Sequence, residues 1–274
     1  MSSATPLPLF DAAAVEPAGE NRYRAELVHD YTVFGYPNGG YLQCVMANAA
    51  VAAASDEGAP HLHTTAISTN FIKSPTVGPA MLSTKVRRIG RGASFVAVAL
   101  SQGEDVLTES LVTVGTLSDF SEQRYQSSTF DILPREECHS LPTAEGMTMH
   151  DALDLRFDTR GPKWWEGEYD GPGELRAWMR LKDGGPGWNA WSVLFAADAL
   201  LPATMPLGST GWVPTLQLTS YVRRIPSSEW LYARQWISSV ADGFAEEHCE
   251  LFDERGELVA SASQLAMVRF QSGQ

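Results

Sequence analysis

The chain has 274 residues, 44% of them hydrophobic and 19% charged, with 20 Lys and Arg against 33 Asp and Glu. A net charge of −13 argues against nucleic acid as a partner, and an anionic ligand would need a local basic patch. No apolar run reaches membrane-spanning length, and Met1-Ser-Ser-Ala-Thr-Pro-Leu-Pro lacks the basic start and apolar core of a signal peptide.

Residues 1–20 are rich in Pro and Ala and are expected to form an arm. In residues 21–118 a strand near Tyr23–Val28 leads to Pro37-Asn-Gly-Gly40 and an Ala-rich helix from Tyr41 to about Ala54. Strand-like runs follow at His63–Lys73, Ala80–Arg88, Ser94–Ser101 and Val106–Thr116. Residues 119–162 are polar and irregular and read as a surface connector. In residues 163–274 the order repeats: a strand near Glu174–Lys182, the turn Gly184-Gly-Pro-Gly187, and a helix over Trp188–Met205. Runs at Pro214–Arg224, Leu231–Ser238, Phe244–Phe252 and Leu258–Arg269 complete it. Gly90-Arg-Gly92, Gln102-Gly103, Asp242-Gly243 and Glu254-Arg-Gly256 fit antiparallel hairpins. The expected class is α+β, with two similar tandem units.

The second helix carries the main clue. Asn189 is placed to cap it, and Pro202 and Pro206 mark its far end. Nearly every residue between is apolar, which predicts burial on most sides, yet Asp198 interrupts the run. A buried carboxylate needs partners; taken alone, Asp198 also fits a wet helix face or a local cap.

The repeat can be set in register. Thr64-Thr-Ala-Ile-Ser-Thr-Asn-Phe-Ile-Lys-Ser-Pro75 falls over Thr215-Leu-Gln-Leu-Thr-Ser-Tyr-Val-Arg-Arg-Ile-Pro226, and Val45–Ala50 falls over Phe195–Leu200. Asn48 then stands where Asp198 stands, Thr64 where Thr215 stands, and Val112 or Thr113 opposite Gln264. Residues needed for packing should recur in both copies. Residues that differ at matching places are candidates for chemistry, which singles out Asp198 and Gln264.

The repeat, the Pro-Asn-Gly-Gly-Tyr start of the first helix, and Ala-Asp-Ala-Leu, Pro-Thr-Leu-Gln-Leu-Thr and Ala-Ser-Gln-Leu-Ala-Met-Val-Arg resemble the double-hotdog acyl-CoA thioesterases, over about Arg22 to Arg269. The resemblance implies two tandem hotdog units, each an antiparallel sheet around a central helix. It implies hydrolysis of acyl-CoA thioesters to fatty acid and CoA, and a homodimer or higher homo-oligomer. It also implies a water held by an Asp, a Thr and a Gln, which fall on Asp198, Thr215 and Gln264. Such chemistry requires no metal or organic cofactor. Gln217 stands where the family often has Asp, and the loop from Met205 to Val213 looks short for the family.

Asn38, Gly39 and Gly40 fit either a tight turn and cap or a backbone approach to the thioester. Arg87, Arg88 and Arg91, within Lys85–Arg91, fit either a solvated hairpin or a grip on CoA phosphates. His29, His61 and His63 lack metal-ligand spacing, and Trp164, Trp165, Trp188, Trp191 and Trp212 read mainly as core. No Gly-x-Ser-x-Gly elbow is present. Cys44, Cys138 and Cys249 also lack metal-site spacing, so reduced thiols in a cytoplasm are expected. Two other readings keep the fold: an enoyl-CoA hydratase, disfavoured by the lack of His near either helix start, and a non-catalytic acyl-CoA or lipid binder.

Overall fold

Every second residue of Arg22–Leu27 is buried, as a strand with one wet face requires. The same alternation recurs along the chain and builds one sheet. A computed structural model describes residues 5–118, 124–127, 129–142, 145–160 and 163–270. Residues 1–4 of the expected arm and 119–123, 128, 143–144 and 161–162 of the expected connector lie outside the described residues.

In the first half, helix α1 (Leu9–Ala12) and the short strand β1 (Glu16–Pro17) precede β2 (Arg22–Leu27). A two-stranded ribbon, β3 (Thr32–Val33) with β4 (Tyr36–Pro37), leads into α2 (Gly39–Asp56). Strands β5 (His63–Phe71), β6 (Gly78–Ile89), β7 (Ser94–Gln102) and β8 (Asp105–Gly115) follow. The second half contains β9 (Leu153–Phe157), β10 (Glu174–Leu181), α3 (Val193–Ala196), β11 (Thr215–Val222), β12 (Leu231–Ala241), β13 (Phe244–Asp253) and β14 (Leu258–Met267).

The 12-stranded sheet runs β1-β2-β6-β7-β8-β5-β11-β14-β13-β12-β10-β9. It reads alike outward from the β5–β11 seam: β8, β7, β6 and β2 on one side match β14, β13, β12 and β10 on the other. This is the double hotdog. The hairpin between β12 and β13 turns through Asp242 and Gly243, both at positive φ (51° and 79°), as a tight I′-type turn requires.

The helix α2 is buried on nearly all sides. The Asn38 side chain caps it by accepting the Tyr41 N–H at 3.0 Å. Gly58, at φ +80°, lies just beyond its last turn. Gln43, fully buried, holds the seam: its Nε2 donates to Thr69 Oγ1 on β5 and the Leu218 carbonyl on β11, while its Oε1 accepts from Ser220.

Three outlines differ from the sequence expectation. The predicted helix Trp188–Met205 shortens to α3 with turns on both sides. Asn189 caps the turn before it, accepting the N–H groups of Trp191 and Ser192, while the N-cap position of α3 itself falls on Ser192. After Ala196 the chain tightens, with the Asp198 N–H bonded to Phe195 O and Ala199 to Ala196. Pro202 offers no N–H to the carbonyl four residues back, that of Asp198, so a helix could not have satisfied that group. Second, Leu9, Ala12 and Ala13 of the expected arm are buried in the core. The Leu9 N–H bonds Asp183 Oδ2 at 2.7 Å, Tyr41 donates to Ala12 O at 2.8 Å, and Asn48 Nδ2 to Ala13 O at 2.9 Å. Third, β9, inside the expected connector, pairs with β10 at one edge of the sheet.

Cys44, Cys138 and Cys249 are free and buried. Among the described residues no helix is long and apolar enough to cross a membrane.

Candidate active site

The broken helix leaves backbone groups without helical partners, and side chains answer them. The Asp198 carbonyl accepts from Asn38 Nδ2 at 3.0 Å, and the Ala199 carbonyl lies 2.9 Å from His150 Nε2. Leu201 O accepts from Gln235 Nε2, and the Ala203 N–H donates to Glu247 Oε1, each at 2.8 Å. The break therefore gathers polar side chains around Asp198.

Asp198 itself faces the start of α2. Its Oδ2 accepts from the Gly40 N–H at 2.8 Å and from Asn38 Nδ2 at 3.0 Å. The glycines make this approach possible: a Cβ on Gly40 would sit 2.7 Å from Leu194 O, and one on Gly39 would sit 2.9 Å from Asp198 Oδ2. Burial pushes the Asp198 carboxyl up to about 6, against the opposing pull of the Gly40 N–H and the Asn38 amide.

Thr215 reaches the same space through a β-bulge. The pairing of β11 with β14 slips between Thr215 and Gln217, leaving Leu216 as the extra residue. Without the slip, period two would send Thr215 outward with Gln217 and Thr219. With it, Thr215 pairs with the inward, fully buried Ala266. Its Oγ1 donates to Gln264 Oε1 at 2.6 Å, and Gln264 Nε2 donates to Glu247 Oε2 at 3.2 Å.

The first half repeats the bulge, between Thr64 and Ala66. Pairing decides which residue matches Gln264: Leu218 opposes Gln264 as Ile67 opposes Val112, so the counterpart is Val112 and not Thr113. Thr64 Oγ1 is buried and finds no hydrogen-bond partner among the described residues. Asn48 is tied to the N-terminal segment, as described above.

Asp198, Thr215 and Gln264 all line one cleft of about 340 Å³, together with Asn38, Gly39, Gln235 and Glu247. Phe71, Met147, Met149 and Met267 give it apolar walls, and Tyr36 stacks on Trp212, ring centroids 5.2 Å apart, among the lining residues. Trp212 is thus an exposed lining residue rather than part of the core. Gly40 is not among the lining residues; it meets the site through its N–H bond to Asp198. Arg87, Arg88 and Arg91 are exposed and do not line the cleft; Arg87 belongs to a separate groove over β6, β7 and β8. Lys73, a cleft-lining cation, pairs with Asp105 at 2.8 Å. Among the described residues no cluster of His, Cys, Asp or Glu could hold a metal ion.

Sequence reasoning missed Glu247 and Gln235. Glu247 is hidden in the polar run Glu246-Glu-His248, yet Ala245, Cys249 and Leu251 set a period of two that turns it inward. Burial pushes its carboxyl up to about 7, and Asp198 adds to the rise.

A tandem hotdog sheet thus brings a carboxylate, a hydroxyl and an amide to one cleft with apolar walls. A family model described as the acyl-CoA thioesterase C-terminal domain matches residues 135–268, and one described as the N-terminal domain matches residues 27–116. The chain belongs to the double-hotdog acyl-CoA thioesterase family. A presumptive thioesterase II from Thermobifida fusca YX has a similar structure, with a TM-score of 0.87, 30% identity, and coverage of 96% of this chain and 98% of that one. An acyl-CoA thioesterase II from Mycobacterium marinum shares the fold at a TM-score of 0.75 and 18% identity, over 97% of this chain and 100% of that one. An uncharacterised protein of Mycobacterium tuberculosis is 27% identical over 278 residues, 91% of each chain.

Proposed function

We propose that this thioesterase hydrolyses acyl-CoA thioesters to a carboxylic acid and CoA, with Asp198, Thr215 and Gln264 holding the attacking water. The observation that carries the reading is Asp198, a carboxylate pushed up to about 6 on the wall of an apolar cleft shared with Thr215 and Gln264. Near neutral pH it is ionised and able to take a proton. The water oxygen bonds to the carbonyl carbon as its proton passes to Asp198. The tetrahedral intermediate then breaks its C–S bond, and the departing thiolate takes the proton from Asp198, which restores the carboxylate. The Gly39 N–H, at the positive end of the 18-residue α2, is the candidate donor to the developing oxyanion. Lys73, on the rim of the cleft, is the candidate cation for the phosphates of CoA.

Hydration of an enoyl-CoA would call for a histidine beside the aspartate. No histidine lines the cleft among the described residues, and the buried His150 is engaged by Ala199 O. A panel of acyl-CoAs with a thiol-reactive dye tests the reading and separates turnover from binding. Thiol release is expected; none at any acyl length would refute hydrolysis.

The outer face of the sheet exposes Phe95, Leu111, Tyr221 and Leu265, which supports a homodimer or higher homo-oligomer. Light scattering that finds only monomer at micromolar concentration would refute it. The three free, buried cysteines fit a reducing cytoplasm.

A further inference from the structure

We propose that Glu247 is a positioning residue that sets the sense of the Gln264 amide and thereby makes Thr215 Oγ1 an acceptor for the attacking water. The inference rests on the water-holding role given above to Asp198, Thr215 and Gln264.

Glu247 is 1% exposed and lies directly opposite Gln264 in the β13–β14 pair. Its Oε1 accepts from the Ala203 N–H and from Gln235 Nε2, and its Oε2 accepts from Gln264 Nε2. All of these partners donate, so the network calls for an ionised carboxylate. An amide has one donating end and one accepting end. With its NH₂ turned to Glu247, Gln264 offers only Oε1 to Thr215, so Thr215 must give that oxygen its single proton. The lone pairs of Thr215 Oγ1 are then left for a hydrogen of the water. Asp198 takes the other hydrogen, and the water's own lone pair stays free to attack. With the amide reversed, Thr215 would accept from Gln264 and aim its proton at the water, engaging the pair that must attack.

The first half gives an independent argument. At the register of Glu247 opposite Gln264, β7 and β8 place Val96 opposite Val112. Where Gln235 opposes Cys249, β6 and β7 place Thr84 opposite Val98. Packing at these places is met by apolar residues or a threonine, and the matching positions of the half without Asp198 hold no buried Glu–Gln–Gln set. Capping the Ala203 N–H is a structural task, but it uses Oε1. It does not explain why Oε2 faces the amide beside Thr215.

The groups that face Glu247 are Asp198 from the broken helix, the Cys249 thiol on its own strand, Gln235 on β12 and Gln264 on β14. Protonation of Glu247 would turn Oε2 into a donor and reverse the amide. Turnover should therefore fall as pH drops through about 7, above the titration of Asp198 near 6.

The test is Glu247→Gln beside wild type. The new amide can keep its oxygen on the Ala203 N–H and Gln235, but it presents a donor to Gln264. A melting temperature close to wild type, an unchanged KM, a kcat about 10- to 100-fold lower and loss of the limb near pH 7 are expected. The swap Glu247→Gln with Gln264→Glu restores an acceptor to the Thr215 hydroxyl and should recover most of the lost turnover, which a merely structural role would not do. Without any variant, the side-chain amide resonances of Gln264 should titrate near pH 7. A folded Glu247→Gln enzyme with wild-type kcat and pH profile, a folded swap without recovery, or amide resonances that do not titrate would each overturn the inference. Asp198→Asn run alongside separates the two failures. If it loses turnover while Glu247→Gln does not, this inference alone falls; if it keeps turnover, the water-holding reading falls and takes this one with it.

Discussion

Asp198→Asn separates function from stability, because the structure gives the two effects opposite signs. The new amide keeps an oxygen for the Gly40 N–H and the Asn38 amide, so the local contacts survive. It cannot take the proton of the water, and turnover should fall by roughly 10²–10⁴-fold. Stability should rise. Burial lifts the carboxyl from 3.8 to about 6, so the folded chain holds this proton more tightly than the unfolded chain. The full stability is present below about pH 4, is lost as pH rises to about 6, and stays lost above. The gap corresponds to roughly 3 kcal/mol, and the side of Asp198 open to the cleft reduces it to about 1–3 kcal/mol. Asparagine escapes this loss, so the variant should melt several degrees higher at pH 8. That advantage should vanish near pH 4. Thiol release from an acyl-CoA gives kcat, and melts at both pH values give stability. A folded variant with unchanged turnover would refute the role of Asp198 as base, and one less stable than wild type at pH 8 would refute the account of its burial.

Thr215→Ala and Gln264→Ala should each lower kcat by about 10- to 100-fold, and the double variant by less than the product, since the proposed mechanism has both hold one water; kcat of the three variants checks this. Asn48→Ala should leave turnover near wild type in the same assay. Thr64→Val should stabilise the fold by about 1 kcal/mol in denaturant melts, because it removes a buried hydroxyl that has no partner among the described residues. Gly40→Ala should lower both kcat and melting temperature, as its Cβ would meet Leu194 O at 2.7 Å and Asp198 Cβ at 2.9 Å.

Much of this arrangement is legible in the sequence. Strand alternation and the hairpin turns lead to the neighbours β6-β7-β8 and β12-β13-β14, and the repeat register to the match of Thr64 with Thr215 and of Asp198 with Asn48. Apolar continuity suggests a long second helix because it cannot register how a proline four residues after Asp198 frees a carbonyl that Asn38 then takes. The donors to Asp198 come from a segment about 160 residues earlier, and no local pattern announces such a pairing. Glu247 is hidden by polar neighbours. The bulge at Leu216 leaves no composition signal, yet it alone turns Thr215 toward Gln264.

The exchange of contacts between halves bears on the order of synthesis. Leu9 and Phe10 leave the ribosome well before their partners, since the Asp183 that binds Leu9 and the Trp191 ring beside Phe10 come from the second half. Asn38 and Gly40 likewise wait for Asp198. Until then the β5 edge has no β11 beside it, and a half-made chain offers an open strand to its neighbours. Cutting the gene between the units would therefore yield two fragments, neither carrying a finished cleft. Each would be prone to aggregate, and thioester cleavage would return only when both were folded together.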